Sequence, residues 1–211
     1  PEVTVHTARL LLTHITSETL LDMLNDLETQ SRLLASAAVD VIVLGAVAPA
    51  LTKGVGYDRE LAQRIEAIAG TRATTTATAL LEALRHMNLR RVVIAAPYDA
   101  SISAMAKSFL EGNGIDVVAT RELGLVDNQQ VGRLTEADAY DLGRAADRAS
   151  ADAVIFAGTN MRTMAVVERL ERELGKPVVS TTAAALWAAL RLVGFSGSIA
   201  GHGRLLREIT L

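Results

Sequence analysis

Hydrophobic positions along this chain fall into short continuous runs, separated by segments in which apolar residues recur at helical spacing. The run Val39-Asp40-Val41-Ile42-Val43-Leu44-Gly45-Ala46 returns as Ala151-Asp152-Ala153-Val154-Ile155-Phe156-Ala157-Gly158. Apolar, β-branched-rich runs of this length, stopped by small residues, predict strands buried on both faces of a parallel sheet. The segments after the two copies also match. Gly54–Ala69 reads as turn and helix and Thr71–Leu84 as strand, Thr cluster and helix; Met161–Leu174 and Pro177–Leu190 read the same way. In the letters, Thr75-Thr76-Ala77 answers Thr181-Thr182-Ala183.

Between the repeats, Val3–Leu11 alternates and predicts a strand, and Thr16-Ser17-Glu18 caps a helical pattern through Leu20, Leu24, Leu27 and Leu34. Ala46–Tyr57 reads as a loop, with Asp58 capping a helix over Arg59–Ala69, then strand Arg72–Thr75 and helix Ala77–Met87. Arg91–Ala96 predicts a buried strand halted by Pro97-Tyr98-Asp99, followed by helix Ile102–Glu111 and a left-handed stop at Gly112-Asn113-Gly114. Then come strand Ile115–Arg121, loop Glu122–Leu134 and a helix from Thr135 to about Ala149. The fold class is therefore α/β, with two pseudo-symmetric, Rossmann-like parallel-sheet halves: residues 1–90, with 182–211 packing on them, and residues 91–181. The second half reads β-α four times and the first only three, Val5–Leu10 corresponding loosely to Val118–Leu123. The first half thus lacks its opening strand, and the expectation is that residues upstream of Pro1 supply it.

Composition narrows the chemistry. Half of the 211 residues are hydrophobic but only 3% are aromatic, so the core is aliphatic. A net charge of −3, with no basic run, argues against a nucleic-acid partner. No uncharged apolar stretch approaches the ~20 residues that span a membrane, and no signal peptide is visible, which fits a cytoplasmic protein. There is no cysteine. His6, His14, His86 and His202 have no metal-ligand spacing, so no metal site is expected. Gly201-His202-Gly203-Arg204 does not sit between strand and long helix as a dinucleotide loop does, and no cofactor is expected.

Ligands of open parallel sheets bind beyond the carboxyl ends of the strands. Those ends here are Gly45-Ala46, Thr74-Thr75-Thr76, Gly158-Thr159-Asn160 and Ser180-Thr181-Thr182. Each opens into a helix whose free N–H groups favour an anion, so two facing clusters suit a small acid with two carboxylates; the same hydroxyls also serve simply as helix caps. Tyr98 is placed to donate to a substrate oxygen or to pack as a ring, and Asn128 to contact a ligand or to turn the chain.

These features resemble the aspartate/glutamate racemase superfamily, and within it the group of maleate cis–trans isomerases, arylmalonate decarboxylases and ectoine-utilisation proteins. The resemblance runs over essentially the whole chain. It rests on Asp40–Gly56, Arg91–Tyr98, Leu123–Gly132, Asp152–Thr163, Gly175–Ser180, Leu186-Trp187 and Gly203–Leu206. It implies two pseudo-symmetric halves with the site between them, cofactor-independent chemistry on small carboxylic acids, and a homodimer. It also implies one catalytic cysteine per half, at positions that here hold Ala46 and Gly158. Neither bears a proton or forms a bond, so thiolate catalysis is closed to this chain. Tyr98, Asn128, Thr159 and Asn160 match pocket-lining positions, with Val47, Ala48, Thr75 and Thr181 as further substrate contacts. The expected activity is therefore that of a maleate isomerase-like protein acting on or binding a small mono- or dicarboxylate, with Tyr98 as a non-thiol acid. The alternatives are a non-catalytic metabolite-binding or regulatory module, and an enzyme whose cysteines were deliberately replaced.

Overall fold

A computed structural model of the chain describes residues 3–210. Thr16 caps helix α1 (Ser17–Asp22) in a capping box with Thr19, and a 3-10 turn joins it to α2 (Leu27–Ala35). Strand β1 (Val41–Leu44) leads through a 3-10 turn at Ala48–Leu51 to α3 (Tyr57–Ala69), then β2 (Arg72–Thr75) and α4 (Thr76–His86). The second half runs β3 (Arg91–Tyr98), α5 (Ala100–Gly112), β4 (Asp116–Leu125), α6 (Asn128–Arg133), α7 (Glu136–Ala146), β5 (Ala153–Phe156), α8 (Met164–Leu174), β6 (Val178–Ser180) and α9 (Thr181–Leu192). A short α10 (Arg204–Arg207) follows. All strand pairing within the two sheets is parallel: β1 with β2 in one, and the order β4-β3-β5-β6 in the other.

The repeat is real in three dimensions, and its register is set by polar staples rather than by the Thr letters. Glu66 accepts the N–H of Ala73 at 3.0 Å, and Glu171 accepts that of Val178 at 3.1 Å. Gly70 and Gly175 close α3 and α8 in the left-handed conformation. On that register Thr75 corresponds to Ser180, each capping the helix after it, and Thr76 corresponds to Thr181. The match of Thr75 with Thr181 read from the sequence is off by one residue. Equivalent helices α4 and α9 pack on one another, α4 also touching β6 while α9 reaches β1 and β2.

Several expected elements differ. Val3–Leu11 forms no strand; Val5 and Leu11 are largely exposed. The reason lies in the sheet order. Its counterpart β4 pairs with β3, and among the described residues the first half has no equivalent of β3 to pair with. Asp58 does not cap α3; Gly56, at φ +95°, takes that position, and Asp58 is the buried second residue of the helix, accepting a 2.7 Å hydrogen bond from Thr78. Pro97-Tyr98 do not halt β3 but lie within it, the proline absorbed by a register irregularity between Ala96 and Tyr98. That longer partner lets β4 run on to Leu125, and Asp127 then caps α6 through Gln129 and Gln130 N–H, in place of the loop expected over Glu122–Leu134. The helix begun at Thr135 ends at Ala146, not near Ala149.

The two copies of the repeated Asp differ in the same asymmetric way. Asp152 accepts the N–H groups of Arg90 (3.1 Å) and Arg91 (2.8 Å), fixing the start of β3, whereas Asp40 has no side-chain partner among the described residues. Asp152→Ala should lower unfolding free energy by about 1 kcal/mol in urea titration, while Asp40→Ala should change it by less than about 0.5 kcal/mol.

Candidate functional site

The carboxyl ends of β1 and β5 meet where the two sheets face each other. Thr159, just past β5, donates its hydroxyl to the carbonyl of Gly45, just past β1, at 3.0 Å. This bond ties the two halves at the point where the repeated runs stop. On one side lie Ala46, Val47 and Ala48, the latter two buried; on the other lie buried Gly158, half-buried Thr159 and exposed Asn160. Both segments leave their strands without entering a ladder. Among the described residues, no acceptor meets the backbone N–H of Ala46, Val47, Ala48, Thr159 or Asn160. Consecutive unpaired N–H groups of this kind form a concave positive cradle for an anion.

Most of the hydroxyls around these cradles are committed to the protein itself. Thr76 donates to Leu44 O at 2.9 Å. Thr75, fully buried, caps α4 and lies 2.9 Å from Thr78 Oγ1. Thr78 gives its proton to the Asp58 carboxylate, so Thr75 must donate to Thr78 and has no proton to offer a ligand. Thr181, also fully buried, accepts the N–H of Gly158 at 3.2 Å. Thr75 and Thr181 thus hold the strand ends in place from behind. Asn128 is similarly engaged: its Nδ2 donates to Leu12 O at 3.0 Å, and its Oδ1 and backbone O accept from Asn160 Nδ2 at 3.0 and 2.8 Å. A groove of about 630 Å³ runs outward from this amide pair between Arg9, Leu12 and Arg133.

Tyr98 differs from its neighbours. Its ring is buried at the end of β3, and among the described residues its hydroxyl makes no hydrogen bond. Asp99 secures the turn directly after it by accepting Ser101 and Ile102 N–H. Burial pushes the Tyr98 phenol well above its ordinary pKa, because the phenolate would lose its hydration, so the group stays protonated. A Cβ built on Gly158 would lie 3.3 Å from Tyr98 Oη and only 2.9 Å from Pro97 Cδ. The phenol therefore points at the spot where a side chain at position 158 would project. Among the described residues, no three His, Asp or Glu side chains gather in a way that would hold a metal ion.

Tyr98, Ala46, Val47, Ala48, Gly158, Thr159 and Asn160 come from segments that stand out in the sequence, but the unpaired N–H groups are not legible there. Nor is the role of Pro97, which packs against Gly158. The equivalence of Thr75 with Ser180 could have been read from the Glu66–Gly70 and Glu171–Gly175 pairs, which set the register that the Thr letters obscure.

The family model described as arylmalonate decarboxylase matches residues 1–206. The chain belongs to the arylmalonate decarboxylase family. It is 28% identical over 209 residues to a maleate isomerase of Pseudomonas putida, covering 96% of this chain and 84% of that protein. An arylmalonate decarboxylase of Bordetella bronchiseptica is 28% identical over 181 residues, covering 84% and 75% respectively. Among solved structures, Nocardia farcinica maleate cis–trans isomerase, with a covalently bound succinylcysteine intermediate, superposes with a TM-score of 0.91 at 27% identity, over 96% of this chain and 85% of that one. The family therefore joins isomerases and decarboxylases on one α/β fold of two parallel sheets.

Thr181→Val should strand the buried Gly158 N–H and cost about 1–3 kcal/mol in denaturant unfolding, whereas Thr181→Ser should recover most of that loss. Equal stability of the Val variant would mean that the Thr181 bond does not hold the β5 end.

Proposed function

We propose that this protein binds a small dicarboxylic acid between its two halves and acts on it without a cofactor. The observation that carries the reading is the pair of facing cradles, Ala46-Val47-Ala48 and Thr159-Asn160, whose N–H groups have no acceptor among the described residues. A carboxylate on each side would accept these N–H groups, the gain being greatest at buried Val47 and Ala48. The hydroxyl of Tyr98 offers one further donor at the second cradle. The succinyl group on the Nocardia relative and the maleate acted on by the isomerases are four-carbon diacids, of a size that two adjacent cradles accommodate. What separates this chain from a thiol mechanism is the pair Ala46 and Gly158, neither of which supplies a nucleophile.

Thermal unfolding should respond to the right acid. A diacid present at about 100 times its Kd adds roughly 2.7 kcal/mol, which for a chain of this length raises Tm by about 5–10 °C. Maleate, malonate, methylmalonate and succinate form the first panel, with acetate as the single-carboxylate control. A shift with diacids and not with acetate is the expected result. No shift with any diacid would remove the two-cradle reading.

A further inference from the structure

We infer that Glu171 is a positioning residue for the second cradle, and that it latches a C-terminal strap, residues 195–210, whose docking on α8 tightens that cradle around its ligand. The ligand half of this inference rests on the two-cradle reading above. The strap joins neither sheet. Phe195 N–H bonds to Leu190 O; beyond it, the strap's backbone–backbone bonds among the described residues are internal. Gly197 and Ile209 bond in both directions, at 3.0 and 2.9 Å, and Ile199 N–H reaches Leu206 O at 2.8 Å. The rest of the molecule is met by buried Gly203, Leu205, Leu206 and Ile209, and through side chains. Arg207 pairs with Glu168, Arg191 donates to Thr210 O at 2.7 Å, and Glu171 accepts the Arg204 N–H at 2.9 Å. A segment attached in this way can leave as a unit without breaking a sheet ladder. Gly194, at φ +79°, supplies the pivot where it departs from α9.

Glu171 ties the strap to the site. Its Oε2 takes the Arg204 N–H, while Oε1 takes the N–H of Val178, the first residue of β6, at 3.1 Å. At the far end of β6, Thr181 accepts the Gly158 N–H, and Thr182 Oγ1 lies 3.5 Å from Thr159 O. The start of α9 thus holds the backbone of the second cradle from behind. Both oxygens belong to one planar carboxylate, so a strap that fixes Oε2 also fixes Oε1 and the strand bonded to it. The strap also reaches the first turn of α8, where His202 Nδ1 lies 3.4 Å from Met164 O. Glu66, the counterpart in the first half, is exposed and holds only its strand, through Ala73 N–H. Glu171 is buried, and its charge is met by two backbone N–H groups. Burial pushes its carboxyl above the ordinary pKa, so release of the strap returns that charge to water. This gain works against the apolar anchors and makes docking a balance that a ligand can tip.

Amide hydrogen exchange on the whole chain tests both halves, run without ligand and with maleate, malonate, methylmalonate or succinate. The Gly197, Ile199 and Ile209 amides should exchange together, faster than those of β5, and slow by about 5-fold or more when a diacid binds. Ligand binding slows global unfolding in any case, but exchange through local release slows only if release and binding are coupled. Glu171→Ala should speed strap exchange by about 10-fold or more and weaken the diacid. Glu66→Ala, which also strips a strand N–H of its acceptor, should leave strap exchange unchanged. Gly203→Ala frees the strap by another route, since a Cβ there would lie 2.4 Å from Val167 Cγ1 at a φ of +90°, and it decides the matter if Glu171→Ala does not fold. Strap amides that exchange only together with the core would overturn the undocking. Strap exchange indifferent to a diacid that binds, or full diacid affinity in both strap variants, would overturn the coupling. If no diacid binds, the two-cradle reading and the coupling fall together, while exchange of the ligand-free strap still decides whether it undocks.

Discussion

Close packing of helix α4 on helix α9 is the contact on which the meeting of the two halves depends. The two helices are equivalents in the repeat and present small residues, Ala79 and Ala83 from one and Ala183, Ala184 and Ala188 from the other, all buried. Small side chains let the backbones approach, so β2 and β6, which run directly into these helices, are brought to the same level. Parallel pairing then sets β1 beside β2 and β5 beside β6, and their carboxyl ends meet across the pseudo-dyad. The Thr159–Gly45 bond closes the arrangement. Donors at these strand ends belong to backbone positions fixed by the sheets, which is why the residues there can be as plain as alanine and glycine.

The same architecture accounts for what the sequence revealed. Buried parallel strands announce themselves as apolar runs, and two similar runs at corresponding places exposed the repeat. Helix starts at Thr16 and Thr135 were legible because capping is local. Pairing is not local. Val3–Leu11 has the alternation of a strand, yet alternation stabilises nothing without a neighbour to share hydrogen bonds. The particular role of a hydroxyl is equally invisible in one dimension. Thr75 looks available until Asp58, 17 positions earlier in the chain, is seen to orient Thr78 and through it Thr75.

Family membership and chemistry separate at the two strand ends. Relatives with the same fold include both isomerases and decarboxylases, and one isomerase is known with its intermediate on cysteine. This chain has no cysteine at all, and its two strand ends hold Ala46 and Gly158 beside unpaired backbone N–H groups and Tyr98. Functional groups that are backbone atoms survive any side-chain exchange, whereas a nucleophile is lost with a single residue.

The approach of Gly158 to Pro97 limits what position 158 can hold. With a Cβ position only 2.9 Å from the proline ring, Gly158 lets the ends of β3 and β5 lie closer together than a side chain there would allow. Any β-carbon at 158 would have to push β3 and β5 apart by a few tenths of an ångström in a region packed as tightly as a crystal. A side chain at 158 is therefore a change in two strands rather than in one residue.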